Sequence, residues 1–305
     1  MNHILTGKQF ADKELLAKIF AKASELELAD KSGRMPKLLE GKIVATLFYE
    51  PSTRTRLSFE SAALKLGGAT ISVENARSSS SDVKGESLED TVRMINCYSD
   101  VLVLRHPEAG TAERAAKVSS TPIINGGDGG NEHPTQALYD LFTIQKELGR
   151  LDGLKVVFGF DPKHSRTIRS LSKLLAIFKG STFTFISPES LRPEQDVLKE
   201  INAFGIKYEM KQNLDGVGDA DVIYLNRLQE ERFSDPSEFE KYRKLFVLKP
   251  EHLANSQAII LDPLPRIDEI EVTVDVLPNA KYFEQAKNGL YVRAALLLYA
   301  SNITN

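Results

Sequence analysis

The sequence predicts an α/β protein: two doubly wound domains, each a parallel sheet flanked by helices. Three observations carry this expectation. Short β-branched runs alternate with longer amphipathic segments along the chain. A fresh strand–helix series opens after Gly149-Arg150. The length of 305 residues accommodates two domains of medium size. Alternation of this kind implies parallel sheets covered by helices on both faces.

The elements follow in order. Asp12 caps a helix whose apolar face is Leu15, Leu16, Ile19, Phe20, Ala23 and Leu26. Lys42 to Phe48 reads as a buried strand, and Ser52 to Leu66 as a helix stopped by Gly67-Gly68. Asp100 to Leu104 and Pro122 to Ile124 are further strands. Pro134 suits a first helical turn and opens a helix running to Gly149. In the second half, Lys155–Phe158, Thr182–Ile186, Val222–Leu225 and Ala258–Leu261 read as strands. Helical patterns lie at about 165–179 and 193–204, and Asn288 to Ser301 closes the chain as a helix. The hinge is placed near helix 134–149. In such folds ligands sit beyond the carboxyl ends of the strands, so polar residues directly after each strand deserve inspection.

Composition narrows the function classes. Hydrophobic residues make up 42% and charged residues 27%, which suits an ordinary soluble surface. A net charge of −3 gives no reason to expect nucleic acid or an anionic membrane as partner, so an anionic ligand requires a local cluster of cations. No apolar run approaches the roughly 20 residues that span a bilayer. The N-terminus, Met1-Asn2-His3-Ile4-Leu5-Thr6-Gly7-Lys8, lacks the layout of a signal peptide, and a cytoplasmic location is expected. Cys97 is the single cysteine, which excludes an intrachain disulfide and a multi-cysteine metal site within one chain. It lies in the apolar-periodic stretch Val92-Met94-Ile95-Cys97 and reads as a buried structural residue.

The most informative segment runs from Phe48 to Glu60. A strand ends, Pro51 turns the chain, and a helix begins at Ser52 with Thr53-Arg54-Thr55-Arg56. The first turn of a helix presents unpaired N–H groups and partial positive charge, and so attracts phosphate. A well-capped helix with surface arginines accounts for Ser52 and Glu60. It does not account for cations at the positive end of the dipole, which oppose that dipole unless an anion neutralises them. Arg54 can grip phosphate oxygens with a forked pair of charge-assisted bonds.

Ser52-Thr53-Arg54-Thr55-Arg56 followed by Ser58-Phe59-Glu60 resembles the carbamoyl-phosphate motif of the aspartate/ornithine carbamoyltransferase family. Other segments extend the likeness over nearly the whole chain from about Lys42. Arg105-His106-Pro107 follows one strand, and Gly126 to Gln136 follows the next and leads into a helix. Alone, His133 is equally a helix cap, the Gly126–Gly130 run a flexible loop, and His106 a packing residue. A neutral imidazole donating a hydrogen bond suits the positive end of a helix. The resemblance implies that Thr55, Arg105 and His133 contact the carbamoyl carbonyl oxygen and that Gln136 lies near the carbamoyl nitrogen. It places Ser52, Thr53, Arg54, Thr55 and Arg105 around the phosphate. Alone, Ser78 to Glu86 reads as a solvated loop. The resemblance makes Ser80 and Lys84 part of a loop that one subunit inserts into its neighbour's active site, and so implies a homotrimer.

In the second half, Asp161-Pro162-Lys163-His164-Ser165-Arg166-Thr167 and Asn226-Arg227-Leu228-Gln229 sit at strand ends. Two arginines there suit a dicarboxylate, although a pair of surface arginines fits the residues equally. The resemblance carries Lys84, Arg166, Thr167, Arg227 and Gln229 onto aspartate binding. Asp262-Pro263-Leu264-Pro265-Arg266 resembles the family's Pro-Leu-Pro-Arg loop, with the Leu264 carbonyl facing the substrate amine beside Pro265. Asp262 stands where many relatives have a histidine, and Pro162 and His164 also depart from bacterial versions. The implied division is 1–149, joined by helix 286–305, for carbamoyl phosphate and 150–285 for aspartate, with the active site in the cleft between them.

The ornithine branch typically has a cysteine in a His-Pro-Cys-Gln motif and another in the substrate loop. Here the first reads His133-Pro134-Thr135-Gln136 and the second contains none. Aspartate is therefore the expected acceptor, giving N-carbamoyl-L-aspartate and phosphate for pyrimidine synthesis. Direct transfer with no covalent enzyme intermediate, metal or cofactor is expected, with rate enhancement from positioning and electrostatics. A carbamoyltransferase for ornithine or another amino acid, and a non-catalytic carbamoyl-phosphate-binding subunit, remain rival readings. Regulatory chains are left open. A Rossmann dehydrogenase is disfavoured, because no glycine fingerprint follows an early strand.

Overall fold

A computed structural model describes residues 1–78, 84–230, 233 and 235–303. The chain divides into two units, Met1–Tyr139 with Lys287–Asn305, and Asp140–Ala286.

In the first unit, Asp12 caps α1 (Lys13–Lys31) by accepting from the backbone N–H groups of Glu14 and Leu15. Leu16, Ile19, Phe20, Ala23 and Leu26 are buried along one stripe of this helix. Then follow β1 (Ile43–Phe48), α2 (Thr53–Lys65), β2 (Ala69–Glu74), α3 (Leu88–Asn96), β3 (Val101–His106), α4 (Thr111–Val118), β4 (Ile123–Asp128) and α5 (Pro134–Leu148). The four strands form a parallel sheet in the order β2-β1-β3-β4. Strands β1, β3 and β4 are almost wholly buried, which explains their unbroken apolar character.

The second unit contains β5 (Lys155–Gly159), α6 (Arg166–Leu175), β6 (Thr182–Ile186), α7 (Gln195–Ala203), β7 (Lys207–Lys211), β8 (Val222–Leu225), α8 (Pro236–Leu245) and β9 (Ile259–Leu261). Its parallel sheet has the order β7-β6-β5-β8-β9. A core of Val157, Phe160, Ile186, Ile223, Leu225, Phe246, Leu248 and Ile260 fills one side of it. The last helix, α9 (Tyr282–Ala300), runs across the boundary in sequence, as α5 does.

Strands β2 and β7 go beyond the predicted set. Both are sheet edges in which no side chain is buried, so no apolar run marks them. Helix α9 begins at Tyr282, earlier than the expected Asn288. Its first inward-facing turn uses Gln285, which is 1% exposed and polar, and apolar periodicity does not register such a residue. Cys97 is a correction. It stands just past the end of α3, at the C-cap, and is exposed rather than buried. The buried face of the helix ends at Ile95, and Cys97, two residues on, lies at the helix end and off that face.

Candidate functional site

In the first sheet β2 lies on one side of β1 and β3 on the other, so the winding reverses between β1 and β3. Loops leaving two such strands diverge and open a crevice at their carboxyl ends. Phe48 pairs with Arg105 across this reversal, and the Tyr49 N–H donates to the Arg105 carbonyl at 2.9 Å. Arg105 and the segment beginning at Ser52 are thereby set side by side.

Ser52 is the N-cap of α2 in extended conformation, but its hydroxyl makes no capping bond. The first turn holds no acidic residue, and Thr53 and Arg54 are exposed in it. Thr55 is 4% exposed and points inward. Behind this turn, Glu60 accepts from Thr46 of β1 and Ser72 of β2 at 3.1 and 2.6 Å, tying α2 to two strands. Phe59 is fully buried on the same helix. Arg56 pairs with Glu74 at 2.9 Å and with Glu60 at 3.6 Å. It belongs to the scaffold, whereas Arg54 is exposed on the outer side of the turn.

His133 precedes Pro134, and its carbonyl accepts from the N–H groups of Gln136 and Ala137, so it occupies the N-cap position of α5. The side chain is 4% exposed, and its Nε2 lies 3.4 Å from Thr55 Oγ1. Two positive helix ends therefore meet at one point, each contributing a polar side chain. Arg105, 8% exposed, donates through Nη1 to the Gly126 carbonyl at 3.1 Å, and its Nη2 lies 3.5 Å from Glu50 Oε2. Gln136, also buried, accepts through Oε1 from the Tyr139 hydroxyl. The glycine run is not a loose loop. β4 extends through Asp128, and a Cβ on Gly129 (φ +58°) would stand 2.5 Å from the Pro107 carbonyl oxygen.

The second sheet reverses its winding between β5 and β8. The two loops leaving these strands are joined by Asn226, whose N–H donates to Gly159 at 2.6 Å and whose carbonyl accepts from Phe160 at 3.1 Å. Asp161, fully buried, accepts from the His164 N–H at 3.1 Å, contacts His164 Nδ1 at 3.0 Å, and takes the backbone N–H of Gln229. Burial pushes its carboxyl above the usual range, and His164 opposes that shift. Ser165 caps α6, which Arg166 opens, and the Ser165 and Thr167 hydroxyls are 3.0 Å apart. Arg166, Thr167, Arg227 and Gln229 are all half-buried. Arg227 Nη1 donates to the Leu228 carbonyl at 3.3 Å.

Beyond β9, Asp262 Oδ1 accepts from the Leu264 N–H at 2.5 Å, holding Leu264 at φ +59°. The peptide from Leu264 to Pro265 is cis. Arg266 is bound to Asp275 and to the Tyr282 hydroxyl, and Asp275 is held down at about 2 by this guanidinium.

A family model described as aspartate/ornithine carbamoyltransferase, carbamoyl-P binding domain, matches residues 2–146. A second, the Asp/Orn binding domain of the same family, matches residues 152–300. The chain belongs to the aspartate/ornithine carbamoyltransferase family. It is 48% identical to the aspartate carbamoyltransferase catalytic subunit of Methanocaldococcus jannaschii over 97% of both chains. It is also 48% identical to the chloroplastic aspartate carbamoyltransferase of Arabidopsis thaliana, over 97% of this chain and 77% of that one. The solved catalytic subunit from M. jannaschii superposes with a TM-score of 0.93 at 46% identity, covering 99% of this chain and 98% of that one. The Trypanosoma cruzi aspartate transcarbamoylase solved with N-(phosphonacetyl)-L-aspartic acid gives 0.91 at 37% identity, covering 97% and 94%.

Within this carbamoyltransferase chain, the structure brings Thr55 and His133 together, with Arg105 on the strand beside them. Arg166, Thr167, Arg227 and Gln229 are gathered on loops linked through Asn226 and Asp161. Lys84 is exposed in the turn before α3 and pairs with no other described residue. Ser80 lies outside the described residues. Sequence reasoning missed Arg293. It is 2% exposed in α9, stacked 5.1 Å from the Phe59 ring and 5.0 Å from the Tyr139 ring, and it donates to Ser58, which in turn donates to the Arg54 carbonyl at 2.7 Å. A lone cation within Leu290-Tyr291-Val292-Arg293-Ala294-Ala295-Leu296 was the available signal.

Proposed function

We propose that this chain transfers the carbamoyl group of carbamoyl phosphate to the α-amine of L-aspartate, giving N-carbamoyl-L-aspartate and phosphate in pyrimidine biosynthesis. The observation that carries this reading is the meeting of Thr55 and His133 at two helix N-termini, beside Arg105 on the neighbouring strand. Ser52, Thr53, Arg54 and the α2 N–H groups bind the phosphate. Thr55, Arg105 and His133 are the donors for the carbonyl oxygen. The 3.4 Å Thr55–His133 contact is long, so neither group is saturated by the other and an oxygen placed near both can accept from each. Gln136 addresses the carbamoyl nitrogen. Arg166, Thr167, Arg227, Gln229 and Lys84 hold the aspartate carboxylates, and the Leu264 carbonyl with Pro265 orients the amine.

The uncharged amine attacks the carbonyl carbon and charge grows on the oxygen. Fixed donors aimed at that oxygen are each worth about 3 kcal/mol. The C–N bond forms, the C–O bond to phosphorus breaks, and phosphate leaves with the amine proton. Residues 1–149 with 286–305 serve carbamoyl phosphate and 150–285 serve aspartate. Edge strand β2 with exposed Ile71 and Val73, beside exposed Leu57 and Leu64 of α2, supports a homotrimer in which Ser80 and Lys84 complete a neighbour's site. Among the described residues no helix is long and apolar enough to cross a membrane. A cytoplasmic location is part of the proposal. The test is a product assay with carbamoyl phosphate and aspartate, with ornithine in parallel. Carbamoyl-aspartate is the expected product, and turnover of ornithine alone would defeat the reading.

A further inference from the structure

Asp262 and Glu269 are both 2% exposed. Their carboxyl groups lie against each other, close enough to interact directly. One oxygen of each is committed to the backbone. Asp262 Oδ1 accepts from Leu264, and Glu269 Oε2 accepts from the N–H groups of Ile267 and Asp268 at 2.9 and 3.0 Å. Among the described residues no N–H or O–H donor reaches the other oxygens, Asp262 Oδ2 and Glu269 Oε1. Two buried ionised carboxylates facing each other repel, and carboxylates in that position are satisfied by a single proton between them.

We propose that Asp262 and Glu269 share one proton, and that this bridged pair is the positioning element that fixes the Leu264 carbonyl for the substrate amine. The inference rests on the proposed function for the role of Leu264, but the proton bridge itself does not. The geometry supplies the link. Asp262 Oδ1 pins the Leu264 N–H and so selects a left-handed backbone that leucine rarely adopts. Glu269 clamps the following turn through two N–H groups. Bridging the two carboxyls closes the loop on itself, and ionising both drives its two ends apart. Burial, and then the neighbouring Glu269, push the Asp262 carboxyl well above its ordinary range.

The charged surroundings leave the bridge intact. Arg266 lowers the Asp262 carboxyl but is bound to Asp275 and to Tyr282 of α9. Asp268 is paired with Arg243 of α8. From α9, Gln285 accepts the Asp262 N–H at 2.9 Å and donates to Asp140 of α5 at 2.7 Å. The Leu248 N–H donates to the Glu269 carbonyl at 2.8 Å.

Amide substitutions test the bridge. In D262N the amide nitrogen replaces the shared proton while the oxygen keeps Leu264, and E269Q does the same from the other side. The D262N/E269Q double variant sets donor against donor. Each single variant is expected to keep the aspartate KM within about threefold, and the double to raise it roughly tenfold or more with less change in kcat. The second reading is melting temperature against pH, which needs no substrate. A carboxyl raised in the folded state binds more protons folded than unfolded, so its contribution falls as pH rises above about 4. Wild type is expected to lose melting temperature relative to D262N over that rise, and the double variant to melt lower than the sum of the singles. An additive double variant, or a D262N profile parallel to wild type, overturns the bridge. A wild-type chain inert toward aspartate would defeat the proposed function, while the melting data would still decide the bridge.

Discussion

Arg54 is the residue on which the phosphate reading can be broken most cleanly. It is exposed in the first turn of α2, outside the packed face that Phe59, Ala62 and Ala63 bury. Arg54→Ala removes no core contact, and exposed substitutions usually shift stability by no more than about 0.5 kcal/mol. The sign here is favourable, because taking a cation away from the positive end of a helix relieves about 0.3–1 kcal/mol. The ligand-free variant is expected to melt with wild type or about 1–3 °C above it. Turnover moves the other way. A forked guanidinium grip on a phosphate comprises two charge-assisted hydrogen bonds, each worth about 1.5–3 kcal/mol, or about 3–6 kcal/mol together. This corresponds to a loss of about 10²- to 10⁴-fold in kcat/KM for carbamoyl phosphate. The assay is carbamoyl-aspartate formation at saturating aspartate, with melting curves recorded with and without inorganic phosphate. Phosphate should raise the melting temperature of wild type and leave the variant unmoved. Turnover within threefold of wild type, in a variant that melts normally, would refute the cradle.

Three further outcomes follow from the same geometry. Arg227→Ala should raise the aspartate KM while leaving carbamoyl-phosphate saturation unchanged, and an unaltered aspartate KM in steady-state kinetics would reject its role. Tyr224→Phe deletes a 2.8 Å hydroxyl bond to buried Asp140, and should lower stability by about 1.5–3 kcal/mol in denaturant titration. Asp275, held at about 2 by Arg266, contributes stability that is present above an unfolded pKa of about 4 and is lost as pH falls through about 2. Because the pair is partly solvated, that contribution is no more than about 1 kcal/mol, and Asp275→Asn should flatten the melting profile between those pH values.

The buried strands were legible because parallel sheets covered on both faces leave an unbroken apolar signature. Val222–Leu225 was located at both ends from that alone. Edge strands β2 and β7 escaped because neither contains a buried residue. The segment that opens α2 stood out in the sequence because Arg54 violates the ordinary charge preference of a helix start. Its supports did not: Glu60 and Arg293 act through partners distant in the chain, Thr46, Ser72 and Ser58. Arg56 could not be told from Arg54 by sequence, since only the fold reveals that Glu74 lies beside it. Cys97 was misjudged for a related reason, because a helix that stops at Asn96 turns the next residue outward.

The strand-end joint at Asn226 makes the two arginine-bearing loops a single mechanical part. Gly159, Phe160 and Gln229 are all fastened to it directly or through Asp161. Neither loop can be re-aimed alone, so on the acceptor-binding role proposed for these arginines, exchanging residues around Arg227 would also tilt Arg166. Redesigning acceptor choice in this scaffold therefore means replacing both loops together with their common fastening, and single substitutions should weaken selection before they redirect it.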